Sequence, residues 1–71
     1  MGERKFYQII TWKRVNSGEE FTKKYSFKTS ESAIKDGIKW RDKTAKDIAR
    51  AVVKIEIIDK ESKETVWSWE A

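Results

Sequence analysis

Histidine, cysteine and proline are all missing from this 71-residue chain, and methionine occurs once. Without histidine or cysteine, the usual nitrogen and sulfur metal ligands are gone, together with the commonest general base and the thiol nucleophile. No disulfide can form, so a reducing compartment is compatible and nothing sharper follows. Glycine is scarce, at three residues, and no glycine-rich loop followed by Lys-Ser/Thr is there to cradle a phosphate. A nucleophile would have to be a hydroxyl with a lysine or carboxylate base, or a carboxylate pair acting alone. Glu19, Glu20, Asp59, Glu61 and Glu64 all fall in expected turns, and their spacing singles out no site. Asp59-Lys60-Glu61 lacks the acidic density and the glycine of a calcium loop. The expectation is a protein that is not an enzyme and holds neither cofactor nor metal.

Long apolar runs are also lacking. No stretch approaches the ~18 apolar residues of a membrane span, and Met1-Gly2-Glu3-Arg4-Lys5 does not open a signal peptide. Met-Gly fits a myristoylation start, but Phe6 stands where that motif needs Ser or Thr. A cytoplasmic protein without membrane contact is expected.

What the chain does have is rings: four tryptophans, three phenylalanines and two tyrosines. A domain of this size buries only roughly 60% of the surface its unfolded chain exposes, so its core is thin. At roughly 25 cal/mol per Å² of apolar area, these rings must supply much of the burial. Charge is abundant, at 39% of residues, and uneven. Residues 1–29 carry +4, residues 30–50 carry +2 and residues 51–71 carry −2. Most of this charge solvates a small surface, though a basic first half suits an acidic partner or nucleic acid.

Residues 5–15 and 20–28 are rich in aromatic and β-branched types, and Asn16-Ser17-Gly18 separates them, which is a hairpin signal. Phe21, Lys23, Tyr25 and Phe27 share one face of the second strand. Thr29 or Ser30 then caps a helix expected over roughly 31–47, with Glu31 at its positive end. Its inward stripe reads as Ile34, Ile38, Ala45 and Ile48, with Gly37 beside it for close approach to a sheet and Trp40 off the line. From Ala51 the period becomes two. Val53, Ile55 and Ile57 alternate with Val52, Lys54, Glu56 and Ile58, and Trp67 and Trp69 share a face of a last strand.

The predicted fold is therefore α+β, one ββαββ domain over 1–71, with a four-stranded mostly antiparallel sheet and one helix packed on one face. Phe21, Tyr25, Phe27, Val53, Ile55, Ile57, Trp67 and Trp69 are expected beneath the helix. Strand order stays open between terminal strands parallel at the centre and two hairpins side by side. The first strand is apolar on both sides, with Phe6, Ile10 and Trp12 on one and Tyr7, Ile9 and Val15 on the other. A bulge at the turn would decide which set joins the core. The other set, near Val52, Ile58 and Val66, would form an open apolar face for a protein partner around Tyr7 and Ile9, or for a homodimer. Equally, long lysine stems such as Lys24 and Lys54 would cover it.

Ile38-Lys39-Trp40 and the run Asp47 to Lys60, together with Trp12 and Phe21-Thr22-Lys23, resemble the Dmd antitoxins of T-even phages. That family shares the hydrophobe-x-Trp in the helix and the acidic-hydrophobic-x-basic-Ala-hydrophobic-Val-Lys run into the third strand. The match covers about two thirds of the chain. It departs at the longer Asn-Ser-Gly turn and at Trp67-Ser68-Trp69, where the family is less aromatic and carries cysteine. The resemblance implies a non-enzymatic inhibitor of a host protein, an endoribonuclease toxin of the RnlA or LsoA type. Trp40, with Lys39 and Arg41, would then be the contact.

Two alternatives stand beside this reading. Tyr7, Trp12, Lys13, Arg14, Lys23, Lys24 and Lys28 place rings and cations on one hairpin, as a single-stranded nucleic-acid binder needs. The agreement of local signals with one fold also suits a designed protein without function.

Overall fold

A computed structural model describes residues 4–71; Met1-Gly2-Glu3, read above for a leader or lipid site, lie outside the described residues. The elements run β1 (Phe6–Arg14), β2 (Glu20–Phe27), α1 (Ser30–Thr44), β3 (Arg50–Asp59) and β4 (Thr65–Glu70). The sheet order is β2-β1-β3-β4 with every pairing antiparallel, so the two hairpins lie side by side and join through β1 and β3. The fold is α+β, ββαββ. No helix among the described residues is long and apolar enough to cross a membrane.

Both hairpins close with the same four-residue loop. In the first, Arg14 N–H donates to the Glu19 carbonyl and Gly18 N–H to the Arg14 carbonyl, both at 2.8 Å. In the second, Asp59 N–H donates to Glu64 at 2.9 Å and Lys63 N–H to Asp59 at 2.8 Å. The last loop residue turns left-handed in each case, with φ 74° at Gly18 and 64° at Lys63. Asp59 Oδ1 braces the second loop by accepting from Glu61 and Ser62 N–H, so this carboxylate has a structural role.

The helix starts at Thr29, whose hydroxyl accepts from Ser32 N–H at 3.1 Å, a cap worth about 1 kcal/mol. It ends at Thr44, three residues before the expected limit. There the Thr44 hydroxyl donates to the Trp40 carbonyl at 2.8 Å and accepts from Val52 N–H at 3.4 Å, tying the helix end to β3. Because the helix stops here, Ala45 and Ile48 fall outside it. Both are exposed, Ile48 at 87%, and neither belongs to the inward stripe. Ala33, Gly37 and Thr44 are the buried helical positions, and Trp40 completes that stripe. Trp40 is thus not off the line, as the phase through Ile34 had placed it. Small or polar residues at 33, 37 and 44 had hidden the true inward face.

Ile10, Trp12, Ala33, Val52, Ile55 and Ile57 form the core, with Phe6, Phe21, Phe27, Ile34, Trp40, Trp67 and Trp69 packed around it. The Phe6–Ile10–Trp12 side of β1 is the buried one, and Gln8 between them is fully buried too. In β3, Val52 is buried and Val53 is not, the reverse of the expected alternation. The register slips by one between Thr11 and Trp12, so Val53 is an extra residue that resets which side its neighbours face. Tyr25 lies opposite Gln8 on the helix side, yet it is 45% exposed, because β2 is an edge strand.

Candidate binding surfaces

Helix α1 packs on one side of the sheet; on the other, no described element covers the strands. Strand alternation and register put Tyr7, Ile9 and Ile58 at the centre of that open side, each half-buried. Tyr7 faces Ser26 across β2 and Ile58 across β3, while Ile9 faces Lys24 and Glu56. The apolar strip is short and flanked by cations. Lys24 Nζ and Lys60 Nζ each lie 4.5 Å from the centre of the Tyr7 ring, and Lys60 also donates to the Ser26 hydroxyl at 3.0 Å. Among the described residues the ion pairs are Lys35–Glu31, Arg41–Asp42 and Lys54–Glu56, so neither lysine over Tyr7 has a carboxylate partner. Two ammonium groups held on one ring, without an acid, make a focus of positive potential on an otherwise neutral strip.

Toward the β1–β2 turn the same face turns polar. Thr11 and Thr22 hydroxyls meet at 3.4 Å, and Lys54 pairs with Glu56 at 2.8 Å. The hydrogen bond and then the charge of Glu56 raise the Lys54 pKa above its ordinary 10.5, desolvation opposes them, and the charge of Glu70 adds the smallest push upward. Val66 is exposed at 47%, while Val52, expected here, is in the core. Val15 is 56% exposed in the first loop and does not extend the strip.

The helical set Trp40, Lys39 and Arg41 is not gathered into one contact. Trp40 turns inward and meets Trp12 edge-on, with ring centres 5.7 Å apart and Lys43 Nζ 5.0 Å from its ring. Arg41 leans the other way, over Trp69 at 5.1 Å, and Lys39 is exposed. The nucleic-acid set is likewise divided. Tyr7, Lys13 and Lys24 belong to the open side, and Trp12, Arg14 and Lys23 to the helix side, with Lys28 just beyond β2. Trp12 is 4% exposed, stacked on Phe21 at 6.3 Å, met by Trp40 and capped by Arg50 at 4.8 Å. No face of its ring is left for a base.

A pairing that sequence reasoning missed lies at the end of the helix side. Arg14 and Arg50 are direct partners in the β1–β3 register, and their rings of contact are Phe21 and Trp12. Thirty-six positions separate them in the chain, so only the strand order brings them together. No known protein family, curated protein or solved structure matches this chain.

Proposed function

We propose that this protein is a non-catalytic binding module whose open sheet face grips an acidic surface of another protein. The observation that carries the reading is the pair of ammonium groups, Lys24 and Lys60, each 4.5 Å from the Tyr7 ring and neither with a carboxylate partner among the described residues. A carboxylate from a partner would complete both cations at once, and Ile9 and Ile58 beside them would lose water on the same contact. Aromatic anchors flanked by charge are where binding energy concentrates. A second copy of this chain fits the face less well, since a two-fold contact would bring the lysine pairs of both copies toward one another.

Blocking a host enzyme by occlusion is one form this activity would take, and the resemblance to Dmd-type antitoxins makes an endoribonuclease toxin the first partner to assay. Trp40 is a poor reporter for that assay. Its packing on Trp12 means that Trp40→Ala weakens the fold and the contact together. Lys24→Glu with Lys60→Glu is the sharper variant, because both side chains reach over an uncovered face. Binding to the toxin, read by inhibition of RNA cleavage and by calorimetry, should weaken with added salt in the wild type and vanish in the double variant, while the melting temperature falls only by what the lost Tyr7 and Ser26 contacts contribute. Undiminished binding by that variant would sink the proposal.

A further inference from the structure

The helix side of the sheet is not covered to its end. Arg14 follows Trp12 by two and Arg50 precedes Val52 by two, so both continue the core-facing rows of β1 and β3 past the point where α1 stops at Thr44. Arg14, Asn16, Ser17, Phe21, Ala49 and Arg50 line a cleft of about 440 Å³ there. We propose that this cleft is a second binding site, for the phosphate of a nucleotide, independent of the open face around Tyr7.

The argument begins with an unrelieved repulsion. Like charges directly opposite one another in an antiparallel pair destabilise it, and Arg14 and Arg50 are such a pair. Neither guanidinium takes part in an ion pair among the described residues, and no carboxylate lines the cleft. Instead each is laid on a ring. Arg14 Cζ is 5.6 Å from the Phe21 centre and Arg50 Cζ is 4.8 Å from that of Trp12, and the two rings stack nearly parallel, 9° apart in plane. The buried Trp12 makes the base of this stack rigid. Cation–π contact therefore holds both forks in place while leaving their N–H donors unspent.

A tetrahedral phosphate matches that arrangement better than a carboxylate does. It offers three terminal oxygens and about −1.5 to −2 charges as a monoester, enough for two forks at once. The cleft volume lies in the range of small-ligand sites, about 300–1,000 Å³. Asn16 and Ser17 add an amide and a hydroxyl at its rim, and the half-buried Phe21, with Arg14 laid on its ring, gives the cleft an apolar wall beside the two guanidinium groups. Free nucleotides and phosphate-bearing strand ends share this chemistry.

The test is an amide-shift titration of the full chain with three probes: AMP, a short 5′-phosphorylated oligothymidylate, and inorganic phosphate. Shifts are expected at Ser17, Phe21, Ala49 and Arg50, with AMP, the oligonucleotide or both. Saturation by AMP assigns the free nucleotide, and saturation by the oligonucleotide alone assigns a strand end. Arg14→Gln and Arg50→Gln should each weaken the active probe by about tenfold or more. Without ligand, Arg50→Gln should melt close to the wild type, since relief of the opposed charge offsets the lost contact on Trp12. Arg50→Lys, which keeps the charge and loses the fork, covers the case of a misfolded glutamine variant and should also bind about tenfold more weakly. No shift with any probe at millimolar concentration overturns the site. So do response to inorganic phosphate alone, shifts confined to Lys24 and Lys60, or unchanged affinity in the arginine variants.

Discussion

Gln8 reaches from the central strand to the helix and donates from Nε2 to the Ala33 carbonyl at 2.9 Å and to Asp36 Oδ2 at 3.0 Å. It is fully buried, and its own carbonyl oxygen has no hydrogen-bond partner among the described residues. One polar side chain in the centre of the core thus fixes where α1 sits along β1. The gain from two donated bonds is opposed by the cost of the orphan acceptor, of order 1–3 kcal/mol. Gln8→Met, unbranched and of similar length, removes both terms together. It should change unfolding free energy by less than about 1 kcal/mol. Gln8→Ala instead leaves a hole under the helix and should cost about 2–4 kcal/mol. Urea denaturation of the two variants separates these outcomes, and equal losses would mean that the hydrogen bonds, not the volume, dominate.

Gly37 stands where that close approach is tightest. A Cβ there would sit 2.9 Å from Ile55 Cγ2 and 3.5 Å from Gln8 Nε2. Ile55 is fully buried and β-branched, so its methyl has no room to yield. Alanine gains about 1 kcal/mol of helix propensity over glycine, whereas overpacking of a tight core costs about 1–3 kcal/mol. Gly37→Ala should therefore destabilise the protein by about 1 kcal/mol net, checked by denaturant midpoint. A rise in stability would show that the helix lifts off the sheet without penalty.

These two residues mark where sequence reading succeeds and where it stops. Alternation in 5–15, 20–28 and from Ala51 onward, with the turn at Asn16-Ser17-Gly18 and the cap at Thr29, is local, so element type and order follow from it. Gly37 as a point of close approach was legible too, because glycine in a helix has few other reasons to be there. Gln8 was not, since a single amide between Tyr7 and Ile9 looks like any wet strand position. The shift of the inward phase from Val53 to Val52 depends on a bulge against β1, which no local pattern encodes. On the candidate sites, Tyr7 and Ile9 were recognisable from the two-sided apolar character of their strand. Lys60 joins them only through a turn, and Arg50 meets Arg14 only through the β1–β3 register. Trp40 was placed off the stripe because Gly37 and Thr44 carry no hydrophobic signal.

The matched hairpin loops allow a comparison within one molecule. Lys63 takes the left-handed conformation that glycine takes at position 18, and a side chain there costs roughly 1–2 kcal/mol. Nothing surrounds Gly18 within 4 Å of an added Cβ, so that position is conformational in origin. Lys63→Gly should stabilise by about 0.5–1 kcal/mol, and Gly18→Ala should destabilise by about 1 kcal/mol. Thermal melts of the two variants check the pair. If Lys63→Gly lowers the midpoint, the lysine has a compensating contact in the loop.

Lys54 gives the fold an alkaline dependence whose sign is fixed. Its folded pKa lies above the ordinary 10.5, first because it donates to Glu56 and feels that charge at 2.8 Å, then because Glu70 stands opposite it in the register. A cation whose folded pKa is raised contributes stability that is complete below its unfolded value and fades as pH climbs through the folded one. The Lys54 contribution is thus intact below about pH 10.5 and is lost above it. Heteronuclear NMR of the lysine side chains should find Lys54 titrating above its ordinary 10.5, and Glu56→Gln should return it toward that value. Glu56→Gln should also flatten the loss of stability on entering that alkaline range. If Lys54 still titrates late in Glu56→Gln, the raised value comes chiefly from Glu70, and Glu70→Gln should then be the variant that lowers it.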